Sequence, residues 1–367
     1  MKTKNLLMLI AVAGLMFLAS CKKDETPSPL TTDEATATLT DVNTNYTADV
    51  TTYQNSEQVA VSDAVKNLDL PSGMSPVMPF KKKSFRQDFQ KVFLSNPSKG
   101  GFLPDWEFPW DTYKGFSWTY SGGDLVKGSA VGANEVVIIF SYDGGTNNGK
   151  ITYSGYATKT ATVMGSTDTF MSSLNMNIKI DNVTYVTMSF TANASGSLSS
   201  VNASMSFDWT FGTSYSLKQS ITFNVSSSQA GGHGSISLLE ELKKDGSVLR
   251  GAYLSINITA TQTTMTETIT AKYRVKDVVI KAVMNIDQNT IFDGNPSNYM
   301  TVSIWTAGGA KIADVLFVEE PTGSGNWVPY LQFATGDPVP LTEYFSNSLS
   351  SEIGDFFSGA SDIGFFK

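Results

Sequence analysis

The sequence predicts an α+β protein, built as a large curved antiparallel β-sheet (a partial barrel or a sandwich) covered by N-terminal helices and a C-terminal helix. Three observations predict it. From residue 113 onward, alternating stretches rich in β-branched and aromatic residues follow one another, separated by two-residue turn signals. Before residue 70 and after residue 341, apolar residues recur instead at spacings of three and four. Eleven or so strands in succession tend to coil or to split into two layers, and they expose an apolar face that such helices would cover.

The first element is a leader. Lys2 and Lys4 precede an apolar run, Leu6 to Leu18, which has the length of a signal-peptide core. It falls short of the roughly 20 apolar residues that a spanning helix needs. Leu18-Ala19-Ser20-Cys21 resembles the lipobox of bacterial lipoproteins, and Cys21 is the only cysteine of the 367 residues. The resemblance implies that residues 1–20 are removed as a type II signal peptide. Cys21 then becomes the first residue of the mature chain, with diacylglycerol on its sulfur and usually an acyl group such as palmitate on its amine. That covalent lipid is the one non-protein group expected, and no other cofactor is. Several acyl chains hold a protein far more firmly than one. The alternative is a secretory peptide with an incidental cysteine. Lys22 stands where the inner-membrane retention signal of Gram-negative lipoproteins has Asp, so the resemblance implies the outer membrane, on its periplasmic face or at the cell surface. Lys22-Lys23-Asp24-Glu25 also looks like the charged signals that some Gram-negative lineages use for surface export.

Residues 21–32 read as the lipidated tether, with two prolines and no apolar periodicity. A helical segment follows over 33–70. Leu39, Val42, Tyr46, Val50 and Tyr53 fall on one helical face, capped by Thr32 or Asp33, and Val61, Ala64, Val65 and Leu68 form a second run capped near Ser56. Residues 71–112 are irregular and rich in proline and aromatics. Within them "SFRQDFQKVF" predicts a short helix with Phe85, Phe89, Val92 and Phe93 on one side. The antiparallel β domain spans 113–340, with turns expected at Asp143-Gly144, Asn148-Gly149, Asp181-Asn182 and Asp245-Gly246. Residues 341–367 read as a C-terminal helix and tail packed on that domain, with Phe345, Leu349, Ile353, Phe356 and Phe357 on one face.

Composition narrows the function. The formal net charge is −8, and cleavage before Cys21 removes Lys2 and Lys4, leaving 24 basic against 34 acidic side chains. Nucleic acid is thereby disfavoured as a partner, since clustered basic charge is its expected footprint. Anionic headgroups are disfavoured on the same ground, so the lipid anchor would have to supply the contact with the membrane. With no cysteine after Cys21, no intramolecular disulfide can form, and stability must come from burial.

The candidate sites are few. His233 is the only histidine, set among glycines that suit a hairpin tip better than a catalytic triad. With a lone histidine and a lipidated cysteine, too few nitrogen or sulfur ligands remain for zinc. Asp105, Glu107 and Asp111 lie among Trp106, Trp110 and Tyr113, and rings beside acids can stack on sugars and bind their hydroxyls. The same segment could instead staple its aromatics over an open end of the sheet. Asp287, Asn289 and Asp293 offer oxygen donors for a cation, but "DQNTIFDGNPSN" lacks the Gly and final Glu of an EF-hand loop and suits a turn equally well. Lys81, Lys82, Lys83 and Arg86 form one basic run, read as a solvated loop and helix start or as a contact with headgroups.

No nucleophile–base pair or phosphate loop stands out. The reading is therefore an outer-membrane-anchored lipoprotein with a non-catalytic ectodomain, which binds a lipid or glycan ligand or serves the envelope structurally. One version is an analogy to lipoprotein carriers of the LolA and LolB type, resting on the inferred helix-covered curved sheet and not on any motif. The alternative is a surface glycan-binding protein or glycoside hydrolase working through Trp106 to Tyr113.

Overall fold

The computed structural model describes residues 28–71, 74, 108–163, 166–197, 199–228, 231–287, 289–290, 295–346 and 350. The predicted "SFRQDFQKVF" helix, the Lys81–Arg86 run, residues 347–349 and 351–367 of the predicted C-terminal helix and tail, Cys21 and its lipobox lie outside them.

The chain enters the fold at Leu30, whose N–H donates to the Lys311 carbonyl at 2.9 Å. Helix α1 (Thr32–Gln54) starts at once. Its cap is Thr31: the Thr31 hydroxyl accepts from the Glu34 N–H while the Glu34 carboxylate accepts from the Thr31 N–H at 3.0 Å, a reciprocal pair satisfying donors that a helix start leaves open. Ala35, Leu39, Val42, Tyr46 and Tyr53 are buried along one face. Helix α2 (Glu57–Lys66) follows after a break at Asn55-Ser56, with Ser56 capping the Val59 N–H and Val59, Val61 and Val65 buried. A single turn, α3 (Trp110–Tyr113), precedes the strands.

Sixteen strands then form one sheet: β1 Phe116–Ser121, β2 Asp124–Ala130, β3 Glu135–Phe140, β4 Gly149–Val163, β5 Ser166–Ile180, β6 Val183–Gly196, β7 Ser200–Phe211, β8 Tyr215–Ser228, β9 Gly231–Lys244, β10 Ser247–Thr261, β11 Met265–Val275, β12 Val278–Asp287, β13 Met300–Thr306, β14 Lys311–Glu319, β15 Trp327–Gln332 and β16 Val339–Pro340. From β3 to β16 every strand pairs antiparallel with its successor in sequence. The exception is at the start, where β3 runs parallel beside β1 and leaves β2 outermost. Period-2 alternation sets the register. In β6, Val186, Met188, Phe190 and Ala192 are buried, and the residues between them are more exposed.

This corrects the predicted class. Of the described residues 59% are strand and 16% helical, in a single sheet and not in a helix-covered α+β arrangement. The reason lies in who fills the core. Two apolar clusters form, one chiefly over β3–β8 with α2 and the end of α1, and one chiefly over β9–β15 with α1, and most of their side chains come from the strands themselves. Each helix adds only a short row, such as Leu39 and Val42 or Val61 and Val65. The carrier analogy, which rested on helices roofing a curved sheet, falls with that class.

The helices instead belt one end of the sheet. After Leu30 at β14, α1 crosses β12 and β10. Asp49, near the end of α1, pairs with Lys276 at 2.5 Å, in the β11–β12 turn, and with Lys244 at 3.5 Å, at the end of β9. Tyr53 packs on Tyr215, with ring centroids 5.0 Å apart, and Glu57 accepts from the Tyr185 hydroxyl at 3.0 Å. The belt ends at Asp69, whose N–H donates to the Tyr120 hydroxyl of β1 at 3.0 Å.

Candidate functional site

Where the belt meets the first hairpin, the surface opens into a cleft of about 630 Å³, lined by Asp69, Leu70, Pro71, Thr112, Tyr113, Trp118, Gly123, Asp124 and Leu125. Three elements converge there. The tail of α2 brings Asp69 to Pro71, α3 brings Thr112 and Tyr113, and the β1–β2 hairpin brings Trp118 and Asp124. The hairpin turns tightly at Gly122-Gly123, both with positive φ (61° and 97°). Glycine suits that turn because a side chain strains such a backbone.

The ring of Trp118 is held from two sides. Its Nε1–H donates to the Tyr113 carbonyl at 2.9 Å, and the Tyr113 ring meets it edge-on at 4.9 Å. The Lys127 ammonium lies 3.4 Å from the centre of the Phe116 ring and 5.9 Å from that of Trp118. Aromatic faces, two carboxylates, a hydroxyl and one nearby cation thus share a small region.

Of the residues singled out in the sequence, Tyr113 is in this cleft. Trp110 is not: it is buried, and its ring stacks on Tyr156 at 4.9 Å and 11°. Phe108 packs on Tyr153 at 4.8 Å, so this part of the segment staples its aromatics to β4. Asp111 points outward with 88% of its side chain exposed and pairs with Lys114 at 2.6 Å. Asp105, Trp106 and Glu107 lie outside the described residues. Trp118, Asp69 and Asp124 were missed. The "SWTYSGGDL" hairpin reads in sequence as an ordinary strand and turn, and nothing local reports that Asp69 comes to it from 51 residues away from Tyr120.

The oxygen-rich stretch after β12 is described only in part. Asp287 Oδ1 accepts from the Asn289 N–H at 2.8 Å and from the Thr290 hydroxyl at 3.0 Å, an Asx-type turn. Asp293 lies outside the described residues. Among the described residues, no group of three or more His, Cys, Asp or Glu side chains is positioned to hold a metal. His233 stands exposed on β9, its Nδ1 3.4 Å from the Thr259 hydroxyl. Among the described residues no helix is long and apolar enough to cross a membrane. The chain matches no family model, no curated protein and no solved structure.

Proposed function

We propose that the chain is an outer-membrane lipoprotein, held through a lipid on Cys21, whose β-rich ectodomain binds a ligand without catalysis. The observation that carries the reading is the apolar core Leu6 to Leu18 closing on Leu18-Ala19-Ser20-Cys21, with a short polar tether behind it. The geometry adds a point of attachment. The chain docks at Leu30 on the start of β14, nine residues after Cys21. At roughly 3.3–3.6 Å per extended residue, that tether spans at most about 32 Å. The belted end of the sheet would then face the membrane at close range, and the opposite end would point away from it.

Ligand binding is favoured over a purely structural role by the open cleft that the end of the belt and the first hairpin form. The test is metabolic labelling of the producing cell with a clickable palmitate analogue, followed by membrane fractionation. The expected result is a labelled chain that sediments with the outer membrane, and a Cys21→Ala variant that carries no label and is released. Label retained by Cys21→Ala, or none on the native chain, would overturn the anchor.

A further inference from the structure

The chemistry of the cleft beside Trp118 identifies the class of ligand, resting on the ligand-binding reading of the ectodomain. We infer that this cleft binds a short neutral glycan. Trp118 and Tyr113 supply aromatic surface for the apolar face of a pyranose ring, and Trp118 is fixed in advance by its bond to the Tyr113 carbonyl. Asp69 and Asp124 supply carboxylates, neither ion-paired among the described residues, and Thr112 supplies a hydroxyl. Such groups accept and donate hydrogen bonds to vicinal hydroxyls. An open cleft of about 630 Å³ lies within the size range of small-molecule sites.

Charge decides between glycan and other partners. An acidic glycan would meet two carboxylates on a chain of net charge −8. A cationic peptide would meet the two carboxylates but also, just outside the lining, the Lys127 ammonium, 3.4 Å from the centre of the Phe116 ring and 5.9 Å from that of Trp118. A neutral, hydroxyl-rich ligand opposes neither. Trp110 has no part in this site, being stacked on Tyr156 in the core.

The experiment titrates the full mature lipoprotein in detergent with an array of neutral oligosaccharides, with trigalacturonate and with trilysine, read by tryptophan fluorescence. The expected result is saturable binding of a neutral oligosaccharide, weakened about tenfold or more by Trp118→Ala and by Asp124→Asn, where tenfold corresponds to 1.4 kcal/mol. Asp124 is exposed in the hairpin, so its variant keeps the packing and separates lost contact from lost fold. Neutral binding unchanged in both variants overturns the inference, as does preference for trilysine or trigalacturonate, although ligand binding itself would stand in that second case. Binding of no probe at all overturns both readings. Palmitate label on the same preparation reports the anchor independently.

Discussion

Asp49 shows at the scale of one residue how the belt is tied to the sheet. Its carboxylate lies between Lys276 at 2.5 Å and Lys244 at 3.5 Å, and only 23% of its side chain is exposed. The hydrogen bond from Lys276 holds its carboxyl below the usual carboxylate range, against the opposing effect of burial and with help from both ammonium charges. A carboxyl lowered in the folded state stabilises the protein above the unfolded pKa of about 4, and that contribution is lost as pH falls through the lowered folded value. Asp49→Asn should therefore cost about 1 kcal/mol near neutral pH in urea unfolding, and the difference from the native chain should shrink as pH falls below about 4 and vanish once the folded-state carboxyl is protonated. A difference independent of pH would mean that the ion pairs contribute nothing. None of this was legible, because no local pattern joins Asp49 to residues about 200 positions away. Three of the four expected turns were legible: Asp143-Gly144 (φ 47° and 76°), Asp181-Asn182 (φ 49° and 66°) and Asp245-Gly246 (φ 49° and 81°) take the left-handed conformation that such pairs favour, whereas Asn148-Gly149 is not a turn, since Gly149 opens β4 opposite Phe140. Lys276 adopts the same conformation (φ 49°) at the first position of the Lys276-Asp277 turn, where lysine gives no signal of its own. Its carbonyl accepts from Arg274 Nε at 2.7 Å, and its ammonium is held by Asp49.

At the scale of elements, helix α1 follows from its pattern. Leu39, Val42, Tyr46 and Tyr53, spaced by three, four and seven, are all buried. Its start was misjudged by a residue or two, because "LTTDE" offers several capping side chains and Glu34 selects Thr31 by reaching back to its N–H. Thr31→Ala should remove one arm of that capping box and cost about 1 kcal/mol in chemical denaturation. Glu34→Gln, which keeps an acceptor at N3, should cost less, and equal costs would argue against a capping role for the Thr31 hydroxyl. Strand β9 shows the opposite case. Its "LLEELKK" is rich in helix formers, yet it lies paired between β8 and β10, with Leu238 and Leu242 buried and Glu240 bonded to Gln219 and Arg250. Long-range pairing on both sides outweighs local propensity there. The cleft was only half legible for the same reason: Tyr113 belongs to an aromatic segment visible in the sequence, whereas Asp69 and Asp124 meet it only through tertiary packing.

At the scale of the whole molecule, the sheet of sixteen strands must manage two edges, β2 and β16, neither paired to a further strand among the described residues. An edge strand presents unpaired N–H and C=O groups to any passing chain. β16 is only two residues long and includes Pro340, which has no N–H to offer. β2 is seven residues long and exposed over most of its length, with Val126 57% exposed. Its defence is Lys127, a charge that an incoming strand would have to desolvate, and one that the Phe116 ring holds over the edge hairpin. The fold therefore predicts that Lys127→Val exposes an adhesive edge. In sedimentation velocity of detergent-solubilised protein, this variant should associate in a concentration-dependent way beyond the native chain. Lys272→Val is the matched control. Lys272 is also exposed to solvent, but it sits on β11, whose backbone is already paired to Tyr253 on one side and Lys281 on the other. Both substitutions add the same apolar surface, and only one removes a charge from an open hydrogen-bonding edge. If the two variants associate alike, hydrophobic area is the cause and β2 is not a vulnerable edge; if only Lys127→Val associates, a single lysine is what keeps this long open sheet from extending into its neighbour.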